Sequence, residues 1–225
     1  MKPITLLLAL AAAACVSGQG ERDGGPRLKP AANPSAVIAA EIGFNQLAQA
    51  KGQWTAFRET AAAGAEMFVP QRVKAANWLK GRANPPIPVK WQPLAVWSSC
   101  DGSYAVTRGE WQRPGSTGNF ATVWQRQKSG SYKWVLDMSL ANEKNAPPVE
   151  MIAAEVADCG GTPPAVGVAA ADPTGGTADT VTNSSDDGTL SWTSTVLASG
   201  ERQFVLLVWK GGNLGEVLAA RVPAD

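Results

Sequence analysis

The chain has 225 residues, of which 44% are hydrophobic, with a formal net charge of +1, nine tryptophans and no histidine. Without histidine it lacks the commonest general base at neutral pH and the commonest zinc ligand, so Ser-His-Asp and Cys-His mechanisms are excluded within this chain. No motif indicates a metal site or a phosphate-binding loop, and we expect neither metal nor cofactor.

Residues 1–14 predict an export signal. Met1 and Lys2 precede an apolar run too short to span a bilayer, and small residues lead to Cys15. The pattern resembles a bacterial lipoprotein signal, in which the cysteine becomes the lipidated first residue, although Ala12 stands where leucine is usual. The alternative is ordinary secretory cleavage at the same place. We expect a protein of the bacterial envelope or periplasm, attached to the membrane only by a lipid at Cys15.

Export also bears on charge and on the remaining cysteines. Removing residues 1–14 removes one lysine and no acid, so the formal charge changes from +1 to 0. A neutral chain has no basic surface that follows a phosphate backbone, so nucleic acid is not an expected partner. An oxidising envelope favours a disulfide between Cys100 and Cys159; the alternative is two buried free thiols.

The first half of the chain predicts helices followed by strands. Residues 15–33 are rich in glycine, proline and charge, and predict a flexible tether. A helix begins at Pro34 with Asn33 as its cap, and Gly52 ends it. A shorter helix follows, which Gly64 ends, and then a strand stops at Pro70. A third helix closes at Gly81.

From Val89 onward the hydrophobic period is two, which predicts a meander of four antiparallel strands. Its turns are Asp101-Gly102, residues 114–118 and Ser129-Gly130. A two-residue turn at Ser129-Gly130 pairs Asp137 with Thr122 and Trp124 with Val135, and places Trp134 on the opposite face. Both faces carry large apolar side chains, so both need a cover. The helices cover one face, and the C-terminal region or a second copy of the chain covers the other.

The C-terminal part predicts an appended β-structure. Residues 141–188 form an extension and a low-complexity linker, in which 149–160 fits a helix or a strand, with strand favoured. Residues 189–225 predict a three-strand meander. Three short strands are marginally stable alone, so the meander should dock on the first domain or on a dimer mate. The fold class is α+β, with helices packed on an antiparallel sheet.

Several motifs in residues 36–139 resemble the nuclear transport factor 2-like (SnoaL-like) superfamily. They are the Phe44-x-x-Leu47 pair, the Trp54-x-x-Phe57 helix followed by AEMFVP, NWLKG, the strands AVTRGEW and TVWQRQ, and the closing SGSYKWVLD. The resemblance implies a domain over 34–140 with a curved sheet forming a cone around an apolar cavity. The residues expected to line that cavity are Phe44, Leu47, Trp54, Phe57, Phe68, Trp78, Trp124 and Asp137.

Enzymes of this superfamily place a carboxylate inside the cone, where an apolar setting raises its pKa towards neutrality. The carboxylates considered are Glu41, Glu66, Glu110 and Asp137. Asp137 is the preferred acid–base group because it ends the VLD motif; the alternative is a strand-end carboxylate bound to backbone or arginine. Tyr104 and Tyr132 are the candidate donors to an oxyanion, or else ordinary core or rim residues.

A Trp-Gln-Arg triplet occurs twice, at residues 111–113 and 124–126. Tryptophan beside arginine on neighbouring strands can bind an anion or stack on a ring. The favoured alternative is structural, because a tryptophan and the arginine two residues on share a face by the pleat alone.

Three functions are compatible with these patterns. The first is an envelope-anchored, non-catalytic domain that binds a small apolar molecule or forms a homodimer through the sheet face. The second is an isomerase- or cyclase-like enzyme, which requires Asp137 to face a cavity of about a few hundred Å3 without an arginine partner. The third is a structural partner in an envelope complex, docked through the C-terminal meander.

Overall fold

The structure is a computed structural model that describes residues 31–141, 151–166 and 178–224. The expected signal segment, the lipidation site Cys15 and most of the expected tether lie outside these ranges, as do parts of the linker expected over 141–188. Within the described ranges, no helix has both the length and the apolar character needed to cross a membrane.

The described residues form three helices and two sheets. The helices are α1 Pro34–Lys51, α2 Gln53–Thr60 and α3 Ala75–Leu79. The strands of the first sheet are β1 Ala61–Phe68, β2 Arg72–Lys74, β3 Lys90–Ser98, β4 Tyr104–Arg113, β5 Ser116–Arg126, β6 Tyr132–Leu140 and β7 Ala153–Val156. The strands of the second sheet are β8 Asp179–Ser184, β9 Leu190–Val196, β10 Arg202–Lys210 and β11 Asn213–Val222.

The limits of α1 follow the sequence signals. The Asn33 side chain accepts a hydrogen bond from the Ala36 amide at 3.1 Å, and Pro34 occupies the first turn. Gly52 ends the helix with φ 96° and starts α2 directly, and a Cβ here would collide with the Asn84 side chain. α2 ends at Thr60, so β1 begins before Gly64, where the sequence predicted the helix to stop.

The first sheet has the order β2-β1-β6-β5-β4-β3-β7. The predicted meander β3 to β6 is confirmed, and β1 and β7 add parallel pairs at its two sides. Register shifts interrupt the β1–β6, β3–β4 and β5–β6 pairs, and such irregularities bend a sheet locally. Helices packed on a curved, mainly antiparallel sheet confirm the predicted α+β class.

The second sheet, in the order β11-β10-β9-β8, covers the face of the first sheet that the helices leave open. Strand β8 lies in the segment predicted as linker, so the C-terminal unit has four described strands instead of three. Its Trp192, Phe204 and Leu206 pack in one cluster with Val123 and Leu136 of the first sheet. The C-terminal region therefore supplies half of a shared core.

The expected disulfide between Cys100 and Cys159 is present, with the Cα atoms 5.2 Å apart, and it joins the segments that follow β3 and β7 of the first sheet. Hydrogen bonds and an ion pair join the two sheets. The Cys100 amide also donates to Thr189 Oγ1 at 2.9 Å. At the opposite side Arg72 donates to Asp179 Oδ2 at 2.8 Å and to Ser194 Oγ at 2.9 Å. These contacts fix the docking of the second sheet at both ends.

Candidate functional site

A cavity of ≈ 260 Å3 lies between the helices and the inner face of the first sheet. Most of its lining is apolar and much of it aromatic. The residues are Phe44, Gln53, Trp54, Phe57, Met67, Phe68, Val69, Val89, Trp91, Trp111, Arg113, Phe120, Asp137 and Ser139. A pocket of this composition with a few polar groups is the usual form of a small-molecule site.

Asp137, the preferred acid–base residue, lies half-buried in the wall of this cavity. Its Oδ2 accepts a hydrogen bond from Thr122 Oγ1 at 3.0 Å, and no described arginine bonds to it. Withdrawal from water and then the nearby charge of Glu41 raise the pKa of Asp137 to about 7, while the Thr122 hydrogen bond opposes the rise. Asp137 therefore populates both protonation states near neutral pH.

A β-bulge in β6 determines which side chains of this strand point to the helix side of the sheet. The predicted pairing holds from Asn119 to Val123, and Thr122 faces Asp137 as expected. Val135 is then an extra residue, so Trp124 pairs with Trp134 instead of Val135. In a regular strand Trp134 and Asp137 would point to opposite faces, because they are three residues apart. The bulge places both on the helix side and corrects the predicted position of Trp134.

Glu41, on α1, is completely buried behind Asp137. Its Oε1 accepts from Trp91 Nε1 at 2.7 Å, and its Oε2 accepts from Thr107 Oγ1 at 2.6 Å and Trp124 Nε1 at 3.1 Å. Burial raises the pKa of Glu41, and hydrogen bonds from these groups and from Thr122 oppose the rise. The Thr122 hydroxyl therefore lies near both carboxyl groups, and it donates its hydrogen bond to Asp137.

The sequence contains a signal that Glu41 is buried. Glu41 lies on the buried stripe of α1 with Val37, Phe44 and Ala48, at the spacing of successive helical turns. A carboxylate inside an apolar helical stripe must find hydrogen-bond donors or lose its charge. Here Trp91 and Trp124 supply two of those donors, from strands that only the fold brings together.

The other predicted acid–base residues lie elsewhere. Glu66 forms ion pairs with Arg72 at 3.1 Å and Lys74 at 2.6 Å, and Glu110 is exposed. Both tyrosine hydroxyls bond at the turn end of the sheet. Tyr104 accepts from Gln125 Nε2 at 2.8 Å, and Tyr132 donates to the Gly102 carbonyl at 2.7 Å.

The predicted cavity residues separate into two groups. Five line the cavity: Phe44, Trp54, Phe57, Phe68 and Asp137. Three pack in the surrounding helix-side core: Leu47, Trp78 and Trp124. The cavity is also lined by Trp91 of β3 and by Trp111 and Arg113 of β4, which were not among the predicted lining residues.

Trp111 and Arg113 close one side of the cavity. The Trp111 indole donates to the Asn119 carbonyl at 3.1 Å and lies so close to Gly118 that a Cβ there would enter its ring. Arg113 is exposed, and its guanidinium lies 5.6 Å from the centre of the Trp111 ring. Because Arg113 is both exposed and lining, it marks the mouth of the cavity.

A second groove lies beside the cavity. A larger and more polar groove of ≈ 580 Å3 lies beside Trp91 and Trp111, but its carboxylate is the exposed Glu110, and it does not include Asp137. Among the residues that the structure describes, no three cysteine or acidic side chains come together as metal ligands.

The fold and the site define an α+β domain with a carboxyl-bearing apolar cavity between its helices and a mainly antiparallel sheet, in agreement with the fold that the resemblance to the nuclear transport factor 2-like superfamily implied. No family model and no curated protein matches the chain significantly.

Similar solved structures include a proposed ketosteroid isomerase from Parabacteroides distasonis, with 15% identity and a TM-score of 0.37 over 49% of this chain and 94% of that chain. Another proposed ketosteroid isomerase, from Kribbella flavida, has 14% identity and a TM-score of 0.36 over 52% of this chain and 86% of that chain. A nuclear transport factor 2-like superfamily protein from Salmonella enterica has 12% identity and a TM-score of 0.36, over 50% and 92%. These likenesses concern the fold of about half the chain.

Proposed function

We propose that the cavity binds a small, largely apolar molecule and that Asp137 is the polar group that orients it. The observation that carries this proposal is a half-buried carboxyl group in the wall of an aromatic-lined cavity of ≈ 260 Å3. Sites for drug-sized ligands occupy about 300–1,000 Å3, so the expected ligand is smaller, with one or two rings.

The hydrogen bonds of Asp137 support an orienting role. Thr122 occupies Oδ2, whereas Oδ1 has no hydrogen-bond partner among the described residues. A ligand hydroxyl or carbonyl group is able to bond to this free atom, depending on whether the carboxyl group is ionised.

Binding is tested by calorimetric titration of the purified protein with neutral probes of increasing size, from benzene to naphthalene. A Ser139→Trp change at the exposed rim should fill the cavity and abolish binding, whereas Glu110→Gln, outside the cavity, should leave it unchanged. Binding that persists in the Ser139→Trp variant would place the ligand elsewhere and overturn the proposal.

A second candidate function is proton transfer to or from a carbon of the bound molecule, as in an isomerase or cyclase. The specific observation in its favour is that the Asp137 pKa is raised to about 7, which suits a general acid or base at neutral pH. Donors for a developing oxyanion are the Ser139 hydroxyl, the Gln53 amide and Arg113 at the mouth. Neither tyrosine lines the cavity, so the proposed donors differ from those that the resemblance suggested.

Proton transfer is tested by following deuterium exchange at carbons next to a carbonyl group, by nuclear magnetic resonance, in a set of small cyclic ketones incubated with the protein in D2O. The wild type should accelerate exchange in a ketone that binds, and Asp137→Asn should remove the acceleration without removing binding. Equal exchange with both proteins would leave binding as the function and reject catalysis.

We also propose that the protein works in the bacterial envelope, anchored by a lipid at Cys15. The N-terminal signal pattern and the pairing of Cys100 with Cys159 support this placement, because disulfides persist in oxidising compartments. Globomycin treatment of cells should cause a larger precursor to accumulate. A processed protein that is unaffected by globomycin would instead indicate ordinary secretory cleavage.

A further inference from the structure

We infer that the cavity selects an amphipathic acid: a small apolar molecule whose body lies among the aromatic side chains and whose anionic group is bound by Arg113 at the mouth. This inference rests on the proposed binding function and names its ligand class.

The cavity lining contains two charged side chains of opposite sign. Among its lining residues only Asp137 and Arg113 bear a charged group, and they differ in position. Asp137 lies in the inner wall beside Thr122, whereas Arg113 is exposed at the end of β4. A ligand that enters the cavity therefore passes a fixed positive charge before it reaches the inner carboxyl group.

The pleat of β4 sets the direction of the Arg113 side chain. Every second side chain of β4 points to the same face, and one such set is 107, 109, 111 and 113. Thr107 of this set contacts the buried Glu41. Arg113 thus projects to the helix side, where the cavity lies, and away from the second sheet. This direction is set by the pleat, and the arginine of the first Trp-Gln-Arg triplet is therefore part of the cavity wall.

The Arg113 side chain is available for a ligand. Its side chain has no ion pair and no hydrogen bond with a described residue, and its one described contact is with the face of Trp111. By contrast, Arg126 of the second triplet donates to the Asp101 carbonyl at 2.9 Å. The arginine of the triplet in β5 therefore has a structural role, whereas the arginine of the triplet in β4 has no hydrogen bond to a described residue.

The Trp111 ring holds the Arg113 guanidinium on a rigid surface. Trp111 is held by the Asn119 carbonyl and by the close backbone of Gly118, so its ring has little freedom. A guanidinium over a fixed indole face keeps its planar donors directed to one side, and that geometry suits a bidentate bond to a carboxylate.

These charges also decide the orientation of the ligand. An anionic group placed deep in the cavity would meet the carboxyl group of Asp137, with a second carboxyl group, Glu41, buried behind it. Placed at the mouth it meets Arg113, and the apolar body fills the aromatic interior. A cationic ligand would be repelled by Arg113 on entry.

The test uses two probes of nearly equal size and shape that differ in charge: 2-naphthoate and 2-naphthamide. Calorimetric titration at pH 7.5 and low salt gives the dissociation constant of each with the wild type, Arg113→Gln and Lys90→Gln. Lys90 is an exposed cation on the neighbouring strand that does not line the cavity, so Lys90→Gln is a control for the change of net charge.

We expect the wild type to bind 2-naphthoate about tenfold more tightly than 2-naphthamide, because a charge-assisted hydrogen bond is stronger than a neutral one. The preference should vanish in Arg113→Gln, persist in Lys90→Gln and decrease in 0.5 M salt.

Equal binding of the two probes by the wild type, or a preference that survives Arg113→Gln, would overturn the inference and leave the proposed binding function standing. Binding of neither probe to any of the three proteins would count against the binding function itself. Arg113 is exposed, so its substitution should not disturb folding, and circular dichroism of each variant checks this.

Discussion

Replacing Asp137 with asparagine should change how the stability of the protein depends on pH. Asparagine has the shape of the neutral carboxyl group and still accepts the Thr122 hydrogen bond, but it does not titrate. The pKa of Asp137 is raised in the folded protein from 3.8 to about 7. The folded state therefore binds a proton that the unfolded chain releases between these two values.

The sign and size of the effect follow from this linkage. The contribution of Asp137 to stability is fully present below pH 3.8 and is lost as the pH rises through about 7. Between pH 5.5 and pH 8 the loss is about 2 kcal/mol, at 1.36 kcal/mol per pKa unit. Because Asp137 is half-buried, screening by solvent reduces the expected loss to about 1–2 kcal/mol.

Urea unfolding at several pH values, with the disulfide intact, measures the free energy of unfolding of both proteins. The wild type should lose about 1–2 kcal/mol relative to Asp137→Asn between pH 5.5 and pH 8. Glu110→Gln, which removes an exposed carboxylate from β4, is the matched control and should follow the wild type. A difference between wild type and Asp137→Asn that stays constant over this range would refute a raised pKa at Asp137.

Three further changes test the surrounding structure. Glu41→Leu leaves the donors on Trp91, Thr107 and Trp124 without an acceptor and should lower the free energy of unfolding in urea by ~3 kcal/mol or more. Glu41→Gln should lower it less, because its amide oxygen still accepts. Equal losses in the two variants would contradict this account of Glu41. Gly118→Ala forces the Trp111 ring to move and should destabilise the protein by ~1–3 kcal/mol; an unchanged unfolding midpoint would show that the ring is loose. Deletion of 142–225 exposes the outer face of the first sheet and should give an aggregating or unfolded fragment, and a monomer that unfolds cooperatively would contradict the shared core.

Much of the fold could be predicted because it is encoded locally. The cap at Asn33, the glycine at 52 and the period of two after Val89 each act over a few residues, and the structure agrees with them. The predicted end of α2 at Gly64 was wrong, because a glycine with positive φ also occurs inside strands and Gly64 lies within β1. Strand β8 was missed because its polar sequence has little hydrophobic alternation.

Asp137 was the preferred carboxylate from its place in a family-like motif, and the structure places it in the cavity wall. The contribution of Glu41 was not visible in the same way. Its donors Trp91, Thr107 and Trp124 are between 50 and 83 residues away along the chain, so their convergence depends on strand pairing. Arg113 likewise gained its position at the mouth only from the order of the strands around the cavity.

The sequence by itself determined the α+β class, the meander and the pairing of Thr122 with Asp137. Local propensity and alternation decide these features, since each depends on neighbouring residues or on one turn. Only the tertiary structure decided that the C-terminal strands cover the outer face of the first sheet. It alone also placed Trp134 and Asp137 on one face, through the bulge at Val135, and surrounded a buried glutamate with donors from three strands. Each of these depends on packing between distant segments, which no local pattern encodes.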